Sequence, residues 1–306
     1  EYTEEIGILS ENQRIGVITL LPKGQKDKKT LKNWRPITLL SSLYKTISGA
    51  IGNRFKKFLP SVIGLSQKGF VDGRQMSEVT RLLYDTISDA HCTEGKKGII
   101  MSIDFEKAFD SVSFSFIERV IEAAGFPKKM QTWVKILLNG FMSHVNHAGN
   151  LLRLIELGRG ARQGDPIASI LFVLAIEILL IAIRTNANVK PYEYSVPLPG
   201  KLQHKVEAFA DDVNIIMPRD KESIKEVIRI VDGFEDLSGL KVKRDKTQVL
   251  RIGKGAISDP ILCPELGLKW VTKLKVLGIY LTAKPSDMMD NFKEKTLEIE
   301  NLLNRW

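Results

Sequence analysis

AFADDVNIIM, residues 208–217, sets two adjacent carboxylates, Asp211 and Asp212, inside an apolar run. Phe209 precedes them, and Val213, Ile215, Ile216 and Met217 follow. An unpaired carboxylate is costly to bury, so the stretch reads as two strand-like runs meeting at a turn around Ala210-Asp211. An Asp-Asp pair in such a turn is, by itself, ordinary turn chemistry. A distant segment shifts that reading: IIMSID (99–104) is a short apolar strand that ends on Asp104. If these strands are neighbours, three carboxylates converge at one edge of a sheet. Like charges that close do not all stay ionised unless cations neutralise them. Hard divalent ions with oxygen ligands meet that need, and magnesium takes one or two protein carboxylates plus substrate phosphates. Two such ions, about 3.5–4 Å apart, would clamp the attacking and leaving oxygens of a phosphoryl transfer.

The rest of the chain bounds the context. Its 306 residues are 43% hydrophobic and 26% charged, with a formal net charge of +9. Between Arg14 and Lys57 there are eleven Lys or Arg and a single acid, Asp27. That excess is a solvated basic face or a surface for a polyanion, nucleic acid ahead of anionic membrane. Cys92 and Cys263 lie far apart, and the four histidines (His91, His144, His147, His204) show no metal spacing. A structural zinc site and a disulfide framework are therefore not expected, and a reducing compartment fits. The opening residues EYTEE are acidic, unlike a secretory leader. The chain begins without Met and ends inside an apparent helix, which suits a piece excised from a longer protein. IASILFVLAIEILLIAI (167–183) approaches the length of a membrane span. Glu177 at its centre and Asp165-Pro166 at its start mark it instead as a core helix.

Periodicity and punctuation place the other elements. RIGVITLL (14–21) reads as a strand running into Pro22-Lys23-Gly24, followed by a lysine-rich loop and WRPITLL. Helices are expected at 41–59, capped by Ser41 or Ser42, and at 75–90, 114–124, 128–140 and 220–238. SHVNHAGNLLRLIEL is a hairpin, 188–204 an exposed connection, and 247–252 and 274–281 strands. Ser286 would cap a last helix. This order predicts an α+β fold: an antiparallel sheet with helices on one side.

IDFEKAFDSV (103–112), GARQGDPIASILF (160–172) and AFADDVNIIM (208–217) resemble motifs A, B and C of reverse transcriptases, in the expected order. Residues 20–54 resemble the fingers of non-LTR (LINE-type) retrotransposon enzymes. SQKGFVDGR (66–74) matches their Q-x-GF-x-x-GR element, LSGLKVKRDKT (237–247) is similar to motif D, and KVLGIYLT (275–282) to motif E, the primer grip. The resemblance implies the fingers and palm of a right-hand polymerase, with an antiparallel palm sheet backed by helices. Fingers would be 1–97 and 113–157, palm 98–112 and 158–284, and 285–306 the beginning of a thumb.

It also implies an activity and its parts. The domain would be an RNA-directed DNA polymerase acting on an RNA template, a DNA primer, dNTPs and its element RNA. It would work inside the cell, in cytoplasm or nucleus, and without a membrane. Two Mg2+ ions, with Mn2+ as a substitute, would be held by Asp104, Asp211 and the carbonyl of Phe105, with Asp212 close by. Phe109 would be the steric gate that excludes a ribose 2′-hydroxyl; otherwise it is a core Phe. Asp110 would be structural or capping. Gln163 and Gly164 would line the nucleotide pocket, where glycine lets backbone approach the substrate. Lys23 and Arg35 would hold the triphosphate, though Lys23 also suits a solvated loop. Lys246 would assist pyrophosphate departure unless it is a surface lysine. Gly69, Phe70 and Arg74 would touch the template strand, Arg162 the template–primer duplex, and Leu277 and Gly278 the primer. The sequence departs from the family pattern at Ser169 (where PLSP has its second proline; here the run is Pro166-Ile167-Ala168-Ser169), Lys243 and Val276. Group II intron maturases, a non-catalytic nucleic-acid-binding relic and a membrane-associated basic protein are the rivals. LINE-type proteins often add an endonuclease before this region and a thumb and zinc knuckle after it.

Overall fold

In the computed structural model, IIM (99–101) is buried on both faces of a sheet, each residue at 0% exposure. The strand that carries them, Gly98–Ile103, is therefore a central one. It lies between Asp212–Pro218 and Gln248–Ile252 in a five-stranded sheet. Val206–Phe209 closes one edge and Lys269–Val271 the other. The pairings are antiparallel except at the last edge, where Lys269–Val271 runs parallel to Gln248–Ile252. The structure describes residues 2–24, 27–195 and 202–304. Part of the expected 188–204 connection, and the Gln25 and Lys26 of the lysine-rich loop, lie outside those residues.

The two faces of this palm sheet are covered differently. Ile99, Met101, Ile103, Val213, Ile215 and Val249 face a core that includes helices Phe114–Ala123, Ala168–Thr185 and Lys221–Ser238. Ile100, Ile216 and Leu250 face a second cluster with Val79, Leu83 and Ile87 of helix Met76–Cys92. The hairpin Lys273–Val276 and Ile279–Thr282 completes that cover. Helices on one side only, as expected from element order, is thus corrected: the central strand is apolar on both faces and needs both buried. Helix Ala168–Thr185 is long and apolar enough to cross a membrane, yet most of its side chains are buried inside the molecule.

A second sheet forms the basic lobe. Strand Ile15–Pro22 pairs antiparallel with Trp34–Leu39 and parallel with Met142–His147, which turns back through Asn150–Leu151 and Ile155–Glu156. Helix Ser42–Lys56 follows, and Ser41 caps it by accepting from the Tyr44 N–H. The long helix of the palm, Lys221–Ser238, is capped by Asp220 and stopped by Gly239 at φ 76. At the C-terminal end, Pro285–Met289 is a 3-10 turn, and helix Asp290–Leu303 starts after Met289. Ser286 is therefore not its cap: it lies within the turn that Pro285 opens, its hydroxyl on Asp287.

Candidate active site

Strand register brings the carboxylates together. Ile103 pairs with Val213 and Ser102 with Asn214. Asp104 and Asp212, the next residues outward, therefore leave adjacent strands on one face, at a level where paired Cα atoms are roughly 5 Å apart. Asp211 is in the two-residue turn between Phe209 and Asp212, which pair across it. Asp104 and Asp212 line one cavity of about 430 Å3 with Ser102, Asp245, Lys246, Gln248, Lys269 and Lys275.

The electrostatics report crowding. Burial, then the charges of Asp211 and Asp104, push the Asp212 carboxyl up to about 6. Burial, and then Asp104, also raise Asp211. Ionised carboxylates of like sign are thus held in a partly desolvated corner. Among the described residues no three His, Cys, Asp or Glu side chains close into a preformed metal cluster. The donor set is all oxygen and fits a hard cation that takes one or two protein carboxylates and draws its remaining ligands from substrate and water. Lys243 N–H donates to the Asp104 carbonyl and Glu106 N–H to the Lys241 carbonyl, around a bridge between Phe105 and Val242. In that pattern the Phe105 carbonyl points away from segment 241–243.

The expected nucleotide pocket is tied together by backbone. The Thr38 N–H donates to the Gln163 carbonyl at 2.9 Å, linking the basic lobe to the motif B loop. Gly164 has φ +111, and a Cβ there would stand 2.6 Å from the Thr38 carbonyl, so no side chain fits. Motif B is also sewn to motif A: Gly160 N–H donates to the Val112 carbonyl and Ala161 N–H to that of Phe109. Phe109 stacks on the buried Phe172 with ring centroids 4.3 Å apart, and Phe70 meets it edge-on at 6.4 Å. The ring is thus held from two sides. Lys23 follows the first strand of the basic lobe, and Arg35 pairs with Leu21 on the next. Burial raises the Asp110 carboxyl, and the charges of Lys107 and Lys23 partly offset it, so Lys23 lies near motif A.

Other expected residues land differently. Arg162 is 6% exposed. Its guanidinium donates to Asp165 at 2.8 Å and to the Tyr44 hydroxyl, and lies 3.1 Å over the Phe141 ring. It faces the core, so the expected duplex contact is corrected: a buried cation is kept by its partners. Asp165 also accepts from the Tyr44 and Ser48 hydroxyls and from the Ile167 N–H. Arg74 likewise donates to the carbonyls of Ile63, Gly64 and Gln67, which engages it in holding that loop instead of a template. Gly69 packs against the carboxylate turn: a Cβ there would stand 2.4 Å from the Ala210 nitrogen. Phe70 is 47% exposed beside Phe109. Leu277 and Gly278 form the tip of the last hairpin, both at positive φ. Leu274 and Lys275 of that hairpin reach the carboxylate cavity. Sequence reasoning missed Gln67, Asp245, Lys269 and Lys275, although Gln67 stands in the quoted SQKGF.

The comparisons agree with this geometry. Residues 23–281 match the family model described as reverse transcriptase (RNA-dependent DNA polymerase). The chain is 30% identical over 305 residues to the transposon TX1 uncharacterized 149 kDa protein of Xenopus laevis, covering 98% of this chain and 22% of that protein. It is 27% identical over 252 residues to a retrovirus-related Pol polyprotein from the type-1 retrotransposable element R2 of Popillia japonica, covering 81% of this chain and 34% of that protein. Telomerase from Candida albicans, solved with a TWJ fragment of telomeric RNA, superposes with a TM-score of 0.57 at 13% identity, over 90% of this chain and 45% of that one. Telomerase from Candida tropicalis gives 0.59 at 11% identity, over 90% and 44%. The chain belongs to the reverse transcriptase family and, within it, to the non-LTR (LINE-type) retrotransposon domains. It spans from about a fifth to a third of the length of these two curated relatives.

Proposed function

We propose that this domain copies RNA into DNA: a primer 3′-hydroxyl attacks the α-phosphate of a dNTP, and pyrophosphate leaves. The observation that carries the reading is the register that sets Asp104 beside Asp212 at one cavity, with Asp211 in the adjoining turn. Members of the family use divalent ions. Here Asp104, Asp211 and the Phe105 carbonyl would hold two Mg2+, or Mn2+, with Asp212 adjacent. Bound there, such ions supply Lewis-acid activation of the hydroxyl and charge neutralisation at the leaving group.

The chain's own residues do the rest. Phe109, clamped by Phe172, presents its ring where a ribose 2′-hydroxyl would collide. Gln163 and Gly164 shape the pocket floor beside Thr38. Lys23 and Arg35 offset the charge that builds on the phosphates. Lys246, exposed in the carboxylate cavity, is placed to protonate pyrophosphate. Leu277 and Gly278 present the hairpin tip to the primer, and Phe70 and Gly69 lie along the template path. The basic lobe grips backbone, since an A-form hybrid is recognised by shape and phosphate. In this reading residues 1–97 and 113–157 are fingers, although their helices Met76–Cys92 and Phe114–Ala123 pack on the palm sheet; 98–112 and 158–284 are palm, and 285–306 the start of a thumb. The partners are an element RNA, a DNA primer and dNTPs, met in the cytoplasm or nucleus.

The test is extension of oligo(dT) on poly(rA) with Mg2+. The wild type extends, and Asp211→Asn with Asp212→Asn does not. Equal extension by both removes the proposal.

A further inference from the structure

We infer that Gln67 is a positioning residue: its side-chain amide sets the turn that presents Asp211 and Asp212. This rests on the polymerase reading above. Gln67 is fully buried. Its Oε1 accepts from the Ala210 N–H at 2.8 Å and from the Gly69 N–H at 2.8 Å. Its Nε2 donates to the Ala210 carbonyl at 3.1 Å. One side chain therefore holds both backbone groups of the residue that precedes Asp211.

Ala210 is where such a hold is needed. Phe209 and Asp212 are paired, so Ala210 and Asp211 are the two central residues of a tight hairpin turn. Ala210 has φ 55, at a place where hairpins prefer glycine because a Cβ is strained there. A glycine would accept the turn and also let it flex. Alanine held by an amide gives one conformation.

The amide is itself held. Residues 66–68 run beside Val206–Phe209 as a short extra edge: the Lys68 N–H donates to the Ala208 carbonyl and the Ala208 N–H to that of Ser66, both at 2.8 Å. Arg74 fixes the same loop through the Gln67 carbonyl at 2.7 Å. Gly69 permits the approach, since any side chain would meet the Ala210 backbone. The chemistry demands glutamine. An amide carries an acceptor and a donor, whereas Glu offers acceptors only and Leu neither.

The experiment compares wild type, Gln67→Leu and Gln67→Glu by hydrogen exchange of the Ala210 and Gly69 amides without metal, and by single-nucleotide addition on an RNA–DNA hybrid over a Mg2+ titration. In Gln67→Leu both amides exchange faster than the global unfolding rate allows. Addition slows about 100-fold, the effect of a misplacement near 1 Å, and half-saturation moves to higher Mg2+, with hybrid affinity kept. Gln67→Glu retains acceptors for the two N–H groups and falls between. A residue that only fills space would lower the melting temperature and leave Ala210 exchanging with global unfolding. Wild-type protection at Ala210 in Gln67→Leu, or lost protection with an unchanged rate of addition, overturns the inference. If Gln67→Leu does not fold, Gln67→Glu carries the same comparison. A wild type that cannot extend primers sinks the polymerase reading, and the exchange data alone then judge Gln67.

Discussion

Asp104 and Asp212 stand side by side although 108 positions separate them, because Ile103 and Val213 are paired in adjacent antiparallel strands. Among the described residues neither forms an ion pair, and the Asp104 charge raises the cost of ionising both Asp211 and Asp212. The predictions below follow from that crowding and from how the site is braced.

Without divalent ions, stability should depend on Asp212 in a defined pH window. Its carboxyl sits at about 6 in the folded chain, against 3.8 ordinarily. Between those values the folded state holds more protons than the unfolded one, so this group's contribution is lost as pH rises through about 6. In EDTA, the melting temperature of Asp212→Asn minus that of the wild type should grow from about pH 4 to pH 6 and then level off. A difference that stays constant across the range would show that Asp212 is not crowded.

Phe109→Val should admit ribonucleotides. The ring is fixed by Phe172 and Phe70, and its loss opens space for a hydroxyl. We expect the rNTP-to-dNTP efficiency ratio to rise on the order of 10–100-fold. Competition kinetics at a single template position measure it, and unchanged selectivity would remove the gate.

Arg162 and Asp165 should behave as a buried pair, not as a nucleic-acid contact. Asp165→Ala strands a buried guanidinium and should cost about 3–5 kcal/mol by denaturant melts. Arg162→Met with Asp165→Leu should cost less. In that double variant the slope of log affinity for hybrid against log salt should not change. A slope lower by about 1 would mean that Arg162 does reach a phosphate.

Gly69→Ala should slow catalysis more than it unfolds the chain. The added methyl would press on the Ala210 nitrogen from 2.4 Å, so the turn must move. We expect nucleotide addition to fall about 100-fold with hybrid affinity nearly kept; a rate near that of the wild type would mean that the turn yields without consequence.

Much of this was legible in sequence because it is local. Asp104 ends an apolar run, Asp211-Asp212 interrupt another, and Ser41 and Asp220 stand where helices begin. What was not legible depends on partners far along the chain. Arg162 reads as a free cation until Tyr44 and Phe141 are seen around it. Arg74 reads as a template contact until the carbonyls of the 63–67 loop are seen to occupy it, and Gln67 reads only as part of a motif until Ala210 is seen against it. The second face of the palm sheet was missed because helix Met76–Cys92 lies before the motif A strand in sequence and carries the same periodicity as a fingers helix. Ser286 has the chemistry of a cap, but Pro285 starts a different turn.

The central claim is that Asp104, from one strand, shares a site with the carboxylates of another. Single-turnover addition of one dNTP on an RNA–DNA hybrid by Asp104→Asn tests it most directly. The account predicts a rate at least about 1,000-fold below wild type, a loss of the order seen when key transition-state stabilisation is removed, with melting temperature and hybrid affinity retained. A rate within about tenfold of wild type would contradict it, since a factor of ten is only about 1.4 kcal/mol of barrier.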